Sequence, residues 1–524
     1  MSFDLKSALS KIDGKPRISV SALETLGITE QEQVLRIVHP ELFHTPASKN
    51  IWKELEGEYP EFLHFLKGSR AQFAAFPASG IPAQSAAIAK SVPKDMNAGI
   101  GIAHDPGNNI MVHPHISECF QMLRPDNVSE QDFLKVQNSV FKYNNGLGTP
   151  WYRRLARLRY LQDGKADPQL HQSMQKSLGI EPVPGYGGTG NLSLAFDLLL
   201  GPSTPLVFPV TYWGNMNLKS KLSSLRVIKS DFQNSSGEIE VSNLRTSLEE
   251  LKVSGYKKAG VYFNYPHNPT GKVPTKTQAG EISTVLQDFA SPDFQIVAVC
   301  DEPYYPFQKG KESIEVPFSY YLQPGENRNL ITVVSINGTK RDGLYGLRHG
   351  DLIFLLPHGL SDNCLKVLEK DLLAGYIRGQ YSFSNALNQY LLARCLSGDA
   401  LCAIKNPDEL SLDSSYAQKE AELKDQVNSR VEETAGRLAQ CELIQRACKN
   451  GELASGGFFL SYFLSDALVQ KGITPRDVHE LGLKKNCGVI ASSDYLRINA
   501  LLPEGKLEEF ASNLESVLEE LTRR

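Results

Sequence analysis

The chain has 524 residues, 41% of them hydrophobic and 22% charged, with a formal net charge of -4. That length accommodates two domains with large cores, the slightly acidic balance excludes the basic surface that nucleic-acid binding needs, and no apolar stretch approaches the roughly 20 residues that span a bilayer. The eight cysteines are scattered without a Cys-x-x-Cys pair and the opening Met-Ser-Phe-Asp-Leu-Lys is no secretory signal, so no metal centre or disulfide framework is expected and a soluble, cytoplasmic protein is.

Up to about Pro93 the chain reads as helices and loops. Thr29 and Glu32 make a capping box ahead of Val34, Leu35, Ile37 and Val38. Residues 54–66 form a second helical candidate, and the Pro-, Ala- and Ser-rich stretch 76–93 reads as a connector. From about Met96 the pattern changes. Short apolar runs at 205–209, 260–264, 295–300 and 330–334 suit buried strands, and helical stretches such as 191–200 and 278–290 alternate with them. This alternation predicts an α/β domain with a mostly parallel sheet. Ligands bind such sheets at the carboxyl ends of the strands, which makes the loops after each run the place to look for chemistry. Beyond about Leu360 helices dominate. Residues 415–438 predict one long charged helix. Leu507, Phe510, Ala511, Leu514, Leu518 and Leu521 recur at helical spacing, and 458–463 and 495–499 predict a second, smaller sheet.

Four segments carry candidate chemistry. Gly187-Gly188-Thr189-Gly190 leads into a helical run, where backbone N–H groups and the helix dipole favour an anion. Asn264-Tyr265-Pro266-His267-Asn268-Pro269-Thr270-Gly271 is a turn after a strand, with the Asn268 amide placed to reach a ligand. Asp301, just past a buried run, has Tyr304 three residues on. Alone it is a loop acid; as a site it suits a protonated ring nitrogen, the partner that makes pyridoxal phosphate (PLP) an electron sink. Thr339-Lys340 follows the last apolar run, with Arg348 eight residues later and glycines on both sides of that arginine. A lysine there can form an imine and then shuttle protons, and the arginine offers a planar fork to a phosphate.

The order and spacing of these four segments resemble those of the class I/II aminotransferases, in the fold-type-I PLP superfamily that includes aspartate aminotransferase. The resemblance runs from about Met96 to the C-terminus. It implies an α/β fold: a large domain with a mostly parallel sheet and helices on both faces, and a smaller α+β domain built from N- and C-terminal segments. On that reading residues 1–95 are an N-terminal helical extension and 96–150 an arm and small-domain segment. Residues 151–365 are the large PLP-binding domain, and 366–524 the inter-domain helices and C-terminal small domain. The resemblance makes Lys340 the Schiff-base lysine, Asp301 the partner of the ring nitrogen, and Tyr304 and Asn268 the ligands of the ring hydroxylate. Gly187, Gly188, Thr189, Thr339 and Arg348 become the phosphate cup, and Trp213 the ring that stacks on the cofactor. Tyr143 resembles the tyrosine given to the partner subunit's phosphate, which implies a homodimer with shared active sites. Arg497 resembles the arginine that grips the substrate α-carboxylate, Gly101 belongs to a strand close to the substrate, and Arg378 resembles the arginine that reads a distal carboxylate.

Two features depart from the family pattern. Asn337 stands where a hydroxyl is usual, three residues before the lysine, with Ser335 two residues earlier. The first 95 or so residues also exceed what a simple aminotransferase needs. The implied reaction is transfer of an amino group from an L-amino acid, acidic or aromatic, to a 2-oxo acid by a ping-pong mechanism. A β-decarboxylase or C–S lyase would use the same residues, because the cofactor does the chemistry and the pocket selects the bond. A nicotinamide-dependent dehydrogenase fits less well, since Gly-Gly-Thr-Gly is not Gly-x-Gly-x-x-Gly. A PLP-sensing regulator would need a basic recognition stretch that is absent.

Overall fold

The structure, a computed structural model, describes residues 10–12, 15–17, 53–69, 88, 109–144, 146–310, 312–450, 456–492, 494–503 and 505–523. The Thr29–Glu32 capping box, most of the 76–93 connector and Gly101 lie outside these residues.

Seven strands make the main sheet: β1 (Val183–Gly185), β2 (Pro205–Pro209), β3 (Arg226–Ser230), β4 (Lys258–Asn264), β5 (Gln295–Glu302), β6 (Leu330–Ile336) and β7 (Gly350–Leu355). Their order is β1-β7-β6-β5-β4-β2-β3, parallel from β6 to β3, with β7 antiparallel to both its neighbours. The central strands are apolar on both faces because helices cover both. One face sets Tyr262, Val297, Val299, Ile331 and Val333 against Leu192, Ala195 and Phe196 of the helix Gly187–Leu199. The other sets Val261, Phe263, Ile296, Ala298 and Val334 against Ile282, Val285 and Leu286 of the helix Lys276–Phe289, which opens on a Thr275–Gln278 capping box. The four runs expected as strands are β2, β4, β5 and β6. The strands β1, β3 and β7 are not among them: β7 carries an equally apolar run, Leu352–Leu355, while β3 is an edge strand with exposed Arg226 and Lys229, where a charged face blunts further pairing.

The smaller sheet is antiparallel, in the order β8-β9-β11-β10, from β8 (Cys448–Asn450), β9 (Phe459–Leu464), β10 (Ile490–Ala491) and β11 (Tyr495–Asn499). Alternation splits β9 cleanly. Leu460, Tyr462 and Leu464 are buried with Phe510, Leu514 and Leu518 of the last helix, Leu507–Arg523, while Phe459, Ser461 and Phe463 point the other way. The predicted long helix is Ser414–Ala439. Its second half joins the small sheet's core through Val427, Val431 and Leu438. The helices Pro114–Gln121 and Glu130–Phe141 pack instead with 390–410 and with Trp151 and Leu155 in a separate cluster.

Two described pieces belong to the N-terminal region. Ser10–Ile12 and Lys15–Arg17 pair as an antiparallel hairpin, where helix and loop were expected. The register leaves the dipeptide Asp13-Gly14 between them, a sequence that favours a two-residue hairpin turn. The helix Pro60–Leu66 buries Phe62, Leu63, Phe65 and Leu66 in the main core. It lies across the amino ends of β4 and β5: Lys258 Nζ donates to the Phe65 carbonyl at 2.8 Å, and Gln295 Nε2 to the Glu61 carbonyl at 2.8 Å. Arg328 Nε pairs with Glu61 at 3.1 Å, and Glu58 accepts from the amide and hydroxyl of Ser361. This segment therefore closes the sheet at the end opposite its carboxyl-end loops. Phe65 is fully buried, so Phe65→Ala should lower the unfolding free energy by about 3–5 kcal/mol, read from denaturant titration of the full chain. An unchanged midpoint would mean that this helix does not dock on the core.

Candidate active site

The carboxyl ends of β4, β5 and β6 bring three polar residues into line. Asn264 pairs with Asp301, and Asp301 with Ser335, across adjacent parallel strands. All three are buried, on the face that carries Tyr262. The Asp301 carboxylate accepts from Tyr262 Oη at 2.8 Å and from Asn264 Nδ2 at 3.4 Å, while Asn264 Nδ2 also donates to the Asp301 carbonyl at 2.8 Å. These donors are neutral. Burial therefore dominates and pushes the Asp301 carboxyl up to about 7, with the Tyr262 hydrogen bond opposing.

A chain of hydrogen bonds runs from the large sheet to the small one. Arg497 Nη1 donates to Asn268 Oδ1 at 3.2 Å, and Asn268 Nδ2 donates to Tyr304 Oη at 3.2 Å. Asn268 is held from behind, since its own N–H donates to Asn264 Oδ1 at 2.7 Å. Tyr304 Oη thus keeps its proton to donate, and burial, reinforced by the nearby Asp301, raises its pKa. The Arg497 guanidinium lies 4.4 Å from the centre of the Phe459 ring, and Ser461, opposite Arg497 in the register, donates to the Pro269 carbonyl at 2.9 Å. His267 ties the same turn to the segment before Trp213: one ring nitrogen lies 3.0 Å from the Thr211 carbonyl, the other 2.7 Å from Thr270 Oγ1. A carbonyl can only accept, so Nε2 carries the proton. Burial lowers the His267 pKa to about 4, which keeps the ring neutral.

Lys340 sits in the four-residue helix Gly338–Arg341, immediately after β6. Its Nζ lies 4.9 Å from the Tyr345 ring centre and 5.9 Å from those of Tyr304 and Phe458. Burial first, then the positive charges of Arg497 and Arg348, lower its pKa. Asn337, the departure from the family pattern, caps this helix: its Oδ1 accepts from the Thr339 amide at 2.9 Å and from the Thr339 hydroxyl.

The Gly-rich turn approaches this helix closely. Gly187 has φ +71°, and a Cβ there would meet Arg348 Nη2 at 3.1 Å; a Cβ on Gly188 would meet Asn337 Nδ2 at 2.7 Å. A side chain at either position would fill a cradle made by backbone N–H groups at the start of a 13-residue helix. Beside it the buried Ser335 Oγ and both polar atoms of the Asn191 amide have no hydrogen-bond partner among the described residues. An uncompensated buried acid, an anion cradle and orphaned polar atoms together fit a group with a cationic ring nitrogen and a phosphate.

Trp213 and Arg497 share a cavity of about 470 Å³, also lined by Tyr212, Lys229, Ser492 and Tyr495. Tyr212 stacks on Phe208 at 4.6 Å, and Phe208 packs on Tyr262 at 5.0 Å, so this aromatic wall continues to the Asp301 pocket. Thr189 is half-buried on the cradle helix, and Thr339 Cγ2 would lie 3.6 Å from a Cβ at Gly187. Arg348 is exposed at the cradle's edge, with φ +51°. Three expected residues stand outside this grouping. Tyr143 is 61% exposed and stacks on Phe383, whose carbonyl accepts from Tyr186, next to Gly187. Arg378 is exposed on the helix Ala374–Tyr381 and does not line the cavity. Gly101 lies outside the described residues. Sequence reasoning missed Tyr262, Asn191 and Tyr345. The register that aims Tyr262 at Asp301 joins two separate strands and leaves no local signal.

The model of the family "Aminotransferase class I and II" matches residues 162–514, more than half of the chain. Solved structures of similar fold include an aminotransferase of Anaerococcus prevotii, with 18% identity and TM-score 0.54 over 83% of this chain and 94% of that one. Aspartate aminotransferase from the cytoplasm of Saccharomyces cerevisiae has 16% identity and TM-score 0.56, covering 84% and 95%. An aromatic-amino-acid aminotransferase of Burkholderia pseudomallei, covalently bound to pyridoxal phosphate, has 19% identity and TM-score 0.54, covering 81% and 100%. Among the described residues no helix is long and apolar enough to cross a membrane.

The raised Asp301 pKa predicts a pH signature in the cofactor-free protein. The folded value, about 7, lies above the unfolded value of about 3.9, so the folded state binds more protons between them. The contribution is fully present below the unfolded value and disappears as pH rises to about 7, a change on the order of 4 kcal/mol. Relative to Asp301→Asn, which is neutral throughout, the wild-type thermal midpoint should fall between about pH 4 and pH 7. Parallel curves would show that Asp301 titrates normally.

Proposed function

The chain belongs to the class I and II aminotransferases, which are PLP-dependent transaminases, and we propose that its reaction is carried by Lys340, Asp301 and Tyr304. When bound, PLP supplies an electron sink for the bonds at the substrate α-carbon. Lys340 would hold the cofactor by its carbonyl carbon, and once displaced by the substrate amine its Nζ would take the proton from the substrate α-carbon and return it. Its lowered pKa serves both tasks, since it raises the share of free amine. Asp301 holds the proton on the ring nitrogen, and the positive charge it meets there offsets the cost of its own burial. Tyr304 and Asn268 donate to the ring oxygen. The N–H groups at Gly187 and Gly188, the hydroxyls of Thr189 and Thr339, and the Arg348 fork hold the phosphate. Trp213 walls the cofactor, and Arg497 takes the substrate α-carboxylate. Tyr143, exposed near the cradle, serves the phosphate of a partner subunit in a homodimer.

The observation that carries this reading is the alignment of Asn264, Asp301 and Ser335, with Lys340 Nζ over Tyr304. We assign the cofactor to residues 151–365 and the small-domain contribution to 366–524. The amino group passes between an L-amino acid and a 2-oxo acid by ping-pong kinetics. The aromatic lining of the cavity by Tyr212, Trp213 and Tyr495 favours an aromatic side chain; an acidic one would need Arg378, which lies outside that cavity. The same residues would serve a β-decarboxylase or C–S lyase, marked by release of carbon dioxide or ammonia without a 2-oxo acid.

The test is a visible spectrum of the PLP-loaded protein. A band at roughly 400 nm or above, absent in Lys340→Ala, is expected, and one amino acid from a panel should convert it to a shorter-wavelength form. Arg497→Ala should raise the KM for that amino acid by roughly 10- to 100-fold. A wild-type spectrum that matches that of Lys340→Ala would sink the reading.

A further inference from the structure

The helix that carries Lys340 has only four residues. A single turn fixes many dihedrals for one hydrogen bond, so it does not hold itself. Asn337 ties its start. Its end is tied by a buried cluster of charges on the side away from the cradle. Arg341, with 1% of its side chain exposed, donates to Asp163 at 2.6 and 2.7 Å and to Glu420 at 2.7 and 2.8 Å. Asp342 accepts from Arg159 at 2.6 and 3.1 Å and from Tyr416 Oη at 2.8 Å. Arg159 also reaches Glu420, at 2.8 Å. The Arg341 guanidinium lies 5.4 Å from the Tyr305 ring centre, and that of Arg159 5.0 Å from that of Tyr416.

Two guanidinium groups thus face three carboxylates. Burial is the largest influence on all three carboxylates and leaves Asp163 raised; at Asp342 and Glu420 the attractions of Arg159 and Arg341 together, with the Tyr416 hydrogen bond at Asp342, outweigh it and hold both down. Such a cluster is weak support for stability, because desolvating the charges offsets much of their attraction. Its gain is direction. Arg341 is gripped on two sides by forks of fixed geometry, and the backbone between Asn337 and Asp342 has Lys340 as its only unclamped long side chain. The two grips come from different places. Asp163 ends the helix Pro150–Asp163, while Glu420 and Tyr416 lie on the helix Ser414–Ala439. That helix continues to the small sheet, where Thr434 Oγ1 donates to the Ala500 carbonyl at 2.8 Å, three residues beyond Arg497.

We propose that Arg341, clamped between Asp163 and Glu420, is a positioning residue that aims Lys340 at the cofactor and ties that aim to the helix supporting the Arg497 strand. This rests on the reading of Lys340 as the cofactor-binding lysine. The test titrates PLP into full-length wild type, Lys340→Ala, Glu420→Gln and Arg341→Lys, and follows visible absorbance and visible circular dichroism, with thermal midpoints as the check on folding. Glu420→Gln and Arg341→Lys are expected to fold, to weaken PLP binding by about tenfold or more, and to change the sign or amplitude of the visible dichroism per bound cofactor. A purely structural role would lower the midpoint and leave the dichroism of the bound band as it was. If Glu420→Gln does not fold, Asp163→Asn, which keeps the Arg341–Glu420 pair, takes its place with the same expectation. Folded variants with wild-type affinity and dichroism overturn the clamp and leave the Lys340 reading intact. A wild type that binds PLP without a band lost in Lys340→Ala overturns both.

Discussion

The register of three parallel strands is the constraint on which the site depends. Asn264, Asp301 and Ser335 face the same side only because β4, β5 and β6 pair as they do. Side chains alternate along a strand, so a slip of one residue would turn Asp301 to the opposite face and bring Glu302 round. That opposite face already has a use for its acid: Glu302 accepts from the Ser319 amide at 2.7 Å and from its hydroxyl at 3.1 Å. The neighbouring acids therefore divide by face, one in a structural turn and one in the candidate pocket. The apolar residues before them enforce the split, since both faces of these strands lie in dense cores.

The two ends of this sheet are treated differently. At the amino end the helix Pro60–Leu66 supplies main-chain carbonyls to Lys258 and Gln295. At the carboxyl end Ser335 Oγ and the Asn191 amide have no hydrogen-bond partner among the described residues, and the Asp301 carboxylate meets the neutral donors Tyr262 and Asn264. Buried polar groups are normally satisfied. Asn191 and Ser335 stand beside the Gly187–Gly188 cradle and the Asp301 carboxylate, and this coincidence of unmet polar groups with an anion cradle suits a ligand.

Much of this was legible in the sequence, because much of it is local. The buried runs that became β2, β4, β5 and β6 announce themselves by composition, and the cradle, the Asn268 turn and Lys340 each sit within a short segment. The edge strand β3, with Arg226 and Lys229, lacks that signature, whereas the antiparallel β7 has it in Leu352–Leu355 and yet is not among the expected strands. The hairpin was missed although Asp13-Gly14 is a turn signal. Tyr262 became visible only with the register, and Arg341, Asp163 and Glu420 only with the packing of three helices. Charged residues separated by scores of positions look like ordinary surface until the chain is folded. Asn337, read as a lost hydroxyl, proved to be a helix cap: a substitution in a motif can exchange a ligand for a support.

If Arg497 takes the substrate's carboxylate as proposed, its hydrogen bond to Asn268 bears on selectivity. One of the arginine's five N–H groups is already committed, and the guanidinium lies over Phe459, so its plane is set before any substrate enters. The remaining N–H groups then present a fixed two-pronged edge rather than a diffuse charge. An incoming acid is measured by its shape: a flat carboxylate can meet both prongs at once, while a tetrahedral sulfonate or phosphonate of equal charge meets them out of plane. Because Asn268 passes the contact on to Tyr304, the proposed grip on the substrate's acid group and the hydrogen bond at the far side of the pocket would belong to one rigid unit.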